Sequence, residues 1–387
     1  VPTTYIIGAG PVGLATAALL QRTSQEDNSA DEIVVFEKRP TYTRSRKVTL
    51  SPLLLAEDFS DYVRADGDAD DIRAVFSPSE IDALMASKRA MPEEFRDFLR
   101  AIGSDFVPLN VVESGLSELV DAGRPLSRRQ ETVTLESLEE VLLSGDTVLD
   151  CSGRNSLTRD GLRGDDNTVE FVLEHALVAT FAIDGDHLCD EACKRSGSIG
   201  NEVYDFIPSV QRSYSLAGLN YVVGIIEITE DDFARLPREL NQDWLDSGDP
   251  VAQGINRFLD HHAGALDGEA PSHLTLSTLP LNLYRAQRFT NADDRRFGGV
   301  PDVSVKLLGD AAIGSPYFQS ISLGLECAIY LAWLRSNSPG DVMHRFETFM
   351  DRQWLRVYMR SKSIKYNKDV LTVVDDIPRL LDMLTVY

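Results

Sequence analysis

The chain is poor in cysteine, poor in basic charge and free of long apolar runs, and each shortage removes a class of protein. Four cysteines in 387 residues (Cys151, Cys189, Cys193 and Cys327) cannot form the dense disulfide scaffold of small secreted domains. They read as reduced thiols, and no signal-peptide pattern precedes the first strand, so the expectation is a cytoplasmic protein. His187 lies beside Cys189 and Cys193, but C-x-x-x-C with one histidine lacks the second half of a zinc site, and no metal is expected. Lys and Arg number 38 against 61 Asp and Glu, a formal net charge of −23. Nucleic acid, which needs clustered cations, is excluded as a partner. No apolar run approaches the ~20 residues of a membrane span.

What remains is organised around the first fourteen residues. Tyr5-Ile6-Ile7 reads as a buried strand. It runs into Gly8-Ala9-Gly10-Pro11-Val12-Gly13 and then into the helix-forming Leu14 to Leu20. Strand, G-x-G-x-x-G and helix together form a dinucleotide fingerprint: Gly8 for the tight turn, Gly10 for close approach of a pyrophosphate, Gly13 for packing helix on strand. The helix N-terminus offers free N–H groups to phosphates. Ile33 to Phe36 is a second strand, and Glu37 closes it where a ribose-binding carboxylate belongs. The basic run Lys38 to Lys47 follows in an otherwise acidic chain. It is either a solvated loop or a source of cations for cofactor phosphates, with Arg44 and Arg46 as the candidates.

From Ser51 to Ala101 the pattern is helical, with an N-cap and first-turn proline at Ser77-Pro78. The acidic tract Ala65 to Asp71 lacks the closing Glu of a calcium loop and reads as a solvated loop. Val111 to Ala122 has apolar residues at helical spacing. Val148 to Arg159 reads as strand, sharp turn and helix start. The period then changes: Ala176–Ile183, Val203–Ile207, Tyr221–Ile228 and His273–Leu279 read as extended segments of a mostly antiparallel sheet. Helical patterns at Glu230–Leu240 and Pro250–His262 interrupt them. His261 and His262 suit a helix C-terminus, and Tyr204, Tyr214, Tyr221 and Tyr284 either line a substrate pocket or, as is usual for strand tyrosines, pack. Val303 to Leu308 is a further buried strand, followed by Gly309-Asp310-Ala311-Ala312 and a helix from about Ser322 to Leu334. An Asp at such a strand end is placed to hold a ribose or ribityl hydroxyl. Asp341 to Tyr387 forms a helical tail.

Gly8 to Gly13 with Glu37-Lys38, then Cys151-Ser152-Gly153-Arg154-Asn155-Ser156, then Gly309-Asp310-Ala311-Ala312 with Pro316, resemble the group A flavoprotein monooxygenases, the family of para-hydroxybenzoate hydroxylase. The resemblance implies an α/β protein with a Rossmann-like FAD-binding domain (1–62, 102–165 and 303–340). A mostly antiparallel substrate domain (63–101 and 166–302) and C-terminal helices (341–387) would complete it. It implies FAD held by Gly8, Gly10, Pro11, Val12, Gly13, Glu37, Lys38, Arg46, Ser152, Gly153, Arg154, Gly309, Asp310, Pro316 and Ser322. Glu37 would take the adenosine ribose and Asp310 the ribityl chain. It further implies NADPH or NADH as a transient donor and hydroxylation or epoxidation of a small or medium compound, aromatic or polyketide-like, in natural-product metabolism. The alternative is a non-redox cyclase that keeps FAD on the same fold. No cysteine-bearing motif recommends a geranylgeranyl-reductase-like saturase.

The chain departs from the family's pattern in two places. The middle motif usually carries Asp before its glycine, and here Ser152 stands there, able to hydrogen-bond but uncharged. Ile313 replaces the usual His of the third motif, and Phe318 to Gly324 replaces a glycine pair beside the flavin ring. No residue announces itself as the catalytic acid or base.

Overall fold

The computed structural model describes residues 2–26, 32–44, 47–48, 50–66, 69–103, 107–162, 167–184, 208–216, 219–264, 272–316 and 320–385. They form two compact units, Val1–Phe171 with Leu283–Ser361, and Val172–Asn282 with Lys362–Tyr387.

In the first unit five strands form a sheet: Thr3–Ile7, Glu32–Phe36, Ser127–Arg129, Thr147–Asp150 and Ser304–Leu307. Their spatial order is third, second, first, fourth, fifth, and every pairing is parallel. In this doubly wound order a ligand crevice opens outside the carboxyl ends of the strands, where the order reverses. Register sets those ends level, because Ile7 pairs with Phe36 and Asp150, and Asp150 with Leu307. The three motifs, which begin just past these residues, therefore meet at one sheet edge.

Strand residues such as Val34, Val148 and Val305 are β-branched and buried, as a sheet covered on both faces requires. With Tyr5, Ile7 and Phe36 they pack on Leu138 and Leu142. The helix Ser320–Asn337 is buried from Ile321 through Ala332, the pattern of a core helix. It packs against Pro11–Glu26. Residues 52–121 contribute helices Pro52–Leu55, Phe59–Asp66, Ala69–Val75, Pro78–Arg89, Glu93–Gly103 and Leu109–Asp121. Ser77 and Glu80 form a capping box that starts the fourth of these. The acidic tract corrects the loop expected there. Asp70 and Asp71 stand in the first turn of Ala69–Val75, where carboxylates complement the positive end of a helix dipole and favour helix over loop.

In the second unit Leu219–Ile228 lies between Pro208–Leu216 and Thr168–Asp184, antiparallel to both. Ser272–Ala286 runs beside Thr168–Asp184. The segment expected at Val203–Ile207 lies outside the described residues. Leu177, Ala179 and Phe181 share one strand face by their spacing of two, and they pack on Ala252, Ile255 and Phe258 of helix Pro250–Gly264. A 44-residue helix, Val342–Thr385, carries the chain from the first unit into the second. Among the described residues no helix is long and apolar enough to cross a membrane, and no cluster of His, Cys, Asp and Glu could hold a metal ion.

Candidate functional site

The fingerprint turn is fixed by contacts that tolerate no side chain. Gly8 has φ +92°, and a Cβ there would lie 2.8 Å from the Cys151 carbonyl oxygen. A Cβ on Gly13 would lie 1.8 Å from the Gly8 oxygen. These two glycines lock the first motif to itself and to the middle motif. Gly10 is different: its nearest neighbours would be guanidinium nitrogens of Arg44 at 3.5 Å and Arg39 at 3.9 Å. Space is open over Gly10, and what borders it is positively charged. Pro11 is the first residue of the helix Pro11–Glu26, and its missing N–H costs no hydrogen bond there.

Val12 joins the third motif to the first. Would-be Cβ atoms of Gly309 (φ +60°) and Gly324 fall 2.9 and 2.4 Å from Val12 Cγ2. That contact carries Asp310, in the 3-10 turn Gly309–Ala311, to the start of the first helix. The helix expected from about Ser322 to Leu334 runs from Ser320 to Asn337, and the short strand Ile313–Gly314 lies between it and Asp310. Pro316 and Ser322 are buried. Ser322 Oγ accepts from Ser51 N at 2.8 Å and so ties the core helix to the segment after the basic run.

Glu37 accepts from Ala9 N at 3.0 Å, from Arg39 N at 2.9 Å, and from Arg39 Nε and Nη2 at 3.0 and 2.9 Å. Burial pushes its carboxyl up, but Arg39 and the Ala9 amide outweigh that and hold it below the ordinary carboxylate range. Arg39 also reaches Glu113 at 3.2 Å, and Arg44 pairs with the same carboxylate. Glu113 is fully buried on helix Leu109–Asp121. A buried carboxylate thus holds two guanidiniums in place. Sequence reasoning missed it. The available signal was a Glu beside Val112 on the face that also carries Leu116 and Val120. Lys38 is exposed, and Arg46 lies outside the described residues.

The middle motif is organised by a residue the sequence did not single out. Asp150 ends its strand with no exposure. Its Oδ1 accepts from Ser152 N at 2.8 Å and Ser152 Oγ at 2.5 Å. Its Oδ2 accepts from Ser156 Oγ, Thr158 N and Thr158 Oγ1 at 2.7, 2.9 and 2.8 Å. The Ser152 hydroxyl is thereby turned inward. Gly153 follows at φ +91°. Arg154 pairs with Glu170 at 2.7 Å and lies 5.4 Å over the Tyr284 ring, with Arg159 at 5.6 Å from the same ring. Tyr284 OH donates to the Asp310 carbonyl at 2.7 Å. Burial and then the Asp310 charge push its phenol up, which keeps it a proton donor. This tyrosine, read as a packing or pocket-lining residue, supports the third motif. Tyr204 and the side chains of Tyr214, Tyr221, His261 and His262 lie outside the described residues, as do His187, Cys189 and Cys193. Cys151 and Cys327 are buried free thiols.

Fingerprint turn, strand-end carboxylates, and guanidiniums beside an open glycine thus meet at the carboxyl ends of a doubly wound sheet, in a chain that also carries a second unit with an antiparallel sheet. Solved structures share this fold: the Diels-Alderase PyrE3 of pyrroindomycin biosynthesis (16% identity, TM-score 0.52, covering 99% of this chain and 79% of that one); CabE, an aromatic hydroxylase of angucycline biosynthesis (16%, 0.51, 98% and 74%); and the flavin-dependent halogenase CmlS (12%, 0.54, 93% and 62%). The chain therefore shares the mixed α/β fold of these proteins, at identities that establish architecture alone. No protein-family model and no curated relative matches the chain.

Proposed function

We propose that the chain is an FAD-dependent monooxygenase that hydroxylates or epoxidises a small or medium organic compound in natural-product metabolism, using NADPH or NADH and O2. The observation that supports the cofactor is the pair of guanidiniums, Arg39 and Arg44, held on Glu37 and Glu113 beside the side-chain-free Gly10 in a chain of net charge −23. The residues fit a dinucleotide: helix N–H groups and Arg39 and Arg44 toward the pyrophosphate, Glu37 toward a ribose, Asp310 toward a polyol chain. Pro11, Val12, Lys38, Arg46, Ser152, Gly153, Arg154, Pro316 and Ser322 complete the set. When bound, the flavin supplies acceptance of a hydride and activation of oxygen. The protein's part is to fix the cofactor by Asp310, itself held through Tyr284, and to keep the Ser152 loop in one conformation through Asp150. The proposed substrate is an aromatic or polyketide-like compound.

One observation favours a second reading, a non-redox cyclase that retains FAD. The position before Gly153 carries an uncharged hydroxyl already engaged by Asp150, which leaves it little to offer a nicotinamide donor, and the fold is shared with a Diels-Alderase. The test is anaerobic stopped-flow absorbance of the FAD-loaded protein mixed with NADPH and with NADH, in the presence of candidate substrates. Bleaching of the flavin is the expected result. A flavin that stays oxidised with both donors, while a polyene substrate is still converted, replaces the monooxygenase by the cyclase.

A further inference from the structure

The Glu37 carboxylate accepts two hydrogen bonds on each oxygen, which is about the full capacity of a carboxylate. Oε1 takes Arg39 N at 2.9 Å and Arg39 Nε at 3.0 Å, and Oε2 takes Ala9 N at 3.0 Å and Arg39 Nη2 at 2.9 Å. A ribose arriving at this residue meets no open acceptor. The amides of Ala9 and Arg39 belong to the backbone and stay where the fold puts them. The remaining donors, Nε and Nη2, belong to one guanidinium and sit one on each oxygen. Moving that side chain alone opens one site on Oε1 and one on Oε2, which are what a vicinal diol needs to donate both hydroxyls.

The guanidinium has a second acceptor within reach. Its Nη1 already donates to Glu113 Oε1 at 3.2 Å, an oxygen it shares with Arg44. The other oxygen of that carboxylate, Oε2, is buried and has no hydrogen-bond partner among the described residues. A buried acceptor left bare is costly. A planar guanidinium that turns from Glu37 toward Glu113 can satisfy it with a second, parallel bond. Arg39 Nη2 also stands 3.9 Å from where a Cβ on Gly10 would lie, so the cation starts its turn beside the place proposed for a pyrophosphate.

We propose, resting on the dinucleotide reading of this site, that Arg39 is a two-position gate: on Glu37 it fills the place of the ribose diol, and a ligand's diphosphate draws it away and opens Glu37 to that diol. The diphosphate supplies the differential interaction that any shift between two states requires. Diphosphate and diol therefore bind cooperatively, coupled through one side chain. A nucleoside without phosphates finds the gate shut. Its diol must displace two charge-assisted bonds from Glu37 to form two bonds of its own, and it gains little. The site thereby selects nucleoside diphosphates over free nucleosides, by a margin larger than the phosphate contacts alone provide.

Calorimetric titration of the flavin-free full chain with ADP, with adenosine and with the dideoxyribose form of each tests it. In the wild type, removing the diol is expected to weaken ADP by at least ~tenfold and adenosine by less than ~twofold. In Arg39→Met, which leaves Glu37 open, the diol is worth the same factor on both ligands. The wild-type comparison needs no variant, so it decides the matter should Arg39→Met fail to fold. A diol worth equally much on both wild-type ligands, a diol worth nothing on ADP, or a difference that persists in a folded Arg39→Met each overturns the gate, while ADP binding still upholds the nucleotide site. Failure of both ADP and FAD to bind overturns the dinucleotide reading itself, and the gate with it.

Discussion

Asp150 is the residue whose removal the structure makes most informative. Asp150→Ala strips the acceptor from five donors at once. The hydroxyls of Ser152, Ser156 and Thr158 can turn to other acceptors or water. The amides of Ser152 and Thr158 cannot turn, and Thr158 is fully buried. Two amides without acceptors, together with the lost charge-assisted bonds, cost about 3–5 kcal/mol. Asp150→Asn keeps one oxygen, so it can satisfy only the Ser152 side or the Thr158 side, and one amide faces an NH2 group. That costs about 1–3 kcal/mol. The loop from Ser152 to Arg154 is released in both, and re-ordering it on cofactor binding lowers FAD affinity by roughly tenfold for Asn and more for Ala. Titrating apoprotein with FAD by fluorescence, alongside thermal denaturation followed by circular dichroism, reads both effects. Asp150 also explains the serine. Ser152→Asp, which restores the residue usual in the flavoprotein family, puts a second carboxylate within hydrogen-bond reach of the first and weakens the protein by like-charge repulsion. The reasoning fails if Asp150→Ala melts and binds FAD as the wild type does, or if Ser152→Asp improves either.

Gly10→Ala leaves the fold intact, since its Cβ meets only the ends of Arg39 and Arg44, yet it lowers FAD affinity. Gly13→Ala, whose Cβ would lie 1.8 Å from the Gly8 oxygen, unsettles the fold itself; melting curves and FAD titrations that fail to separate the two variants contradict this. Asp310→Ala removes a charged acceptor, and FAD affinity drops by at least about tenfold; unchanged affinity on titration of apoprotein takes Asp310 out of the site. Lys88 gives a pH signature: its folded value is about 7 against the ordinary 10.5, so between these the unfolded chain binds a proton that the folded chain lacks, and stability rises with pH across that window. Below it the burial penalty is present in full. Lys88→Met flattens that slope by up to ~1.4 kcal/mol per pH unit, measured by urea unfolding across the window; an unchanged slope refutes the assignment.

The parts of the site legible in the sequence are those written in short contiguous motifs. Gly8 to Gly13, the strand ending at Glu37, and Gly309-Asp310 each carry their own geometry within a few residues, and the sheet brings them level by register. The missed residues act through partners far along the chain. Glu113 meets guanidiniums 69 and 74 positions away, and nothing local marks a carboxylate on an amphipathic helix as buried. Lys88 sits in the last turn of its helix, where a cation has an ordinary role at the negative dipole end, so its burial was invisible until neighbouring helices closed over it. Tyr284 reads as a strand aromatic because its function lies in its hydroxyl, 2.7 Å from a carbonyl 26 residues on. The acidic tract misled for a related reason: charge density suggests solvent, while charge position within a first helical turn suggests helix.

Under the proposed function a chain this acidic must present a crevice that a dianionic pyrophosphate can enter, and its charges are arranged in keeping with that. Three of its strands deliver a carboxylate at or beside the crevice: Glu37, Asp150 and Asp310. Left bare, they would repel such an anion. Glu37 is covered by Arg39, and Asp150 is sunk beneath five donors with no exposure. Beside Asp310, the Tyr284 ring carries Arg154 and Arg159 on its face. Glu113 adds negative charge, but it does so from a fully buried position, where its effect is to hold Arg39 and Arg44 toward Gly10. The balance at the crevice is thus set locally, by guanidiniums held on buried or shielded carboxylates. Net charge sets how the whole chain behaves in solution, and it leaves the local field at the phosphate position to these few residues.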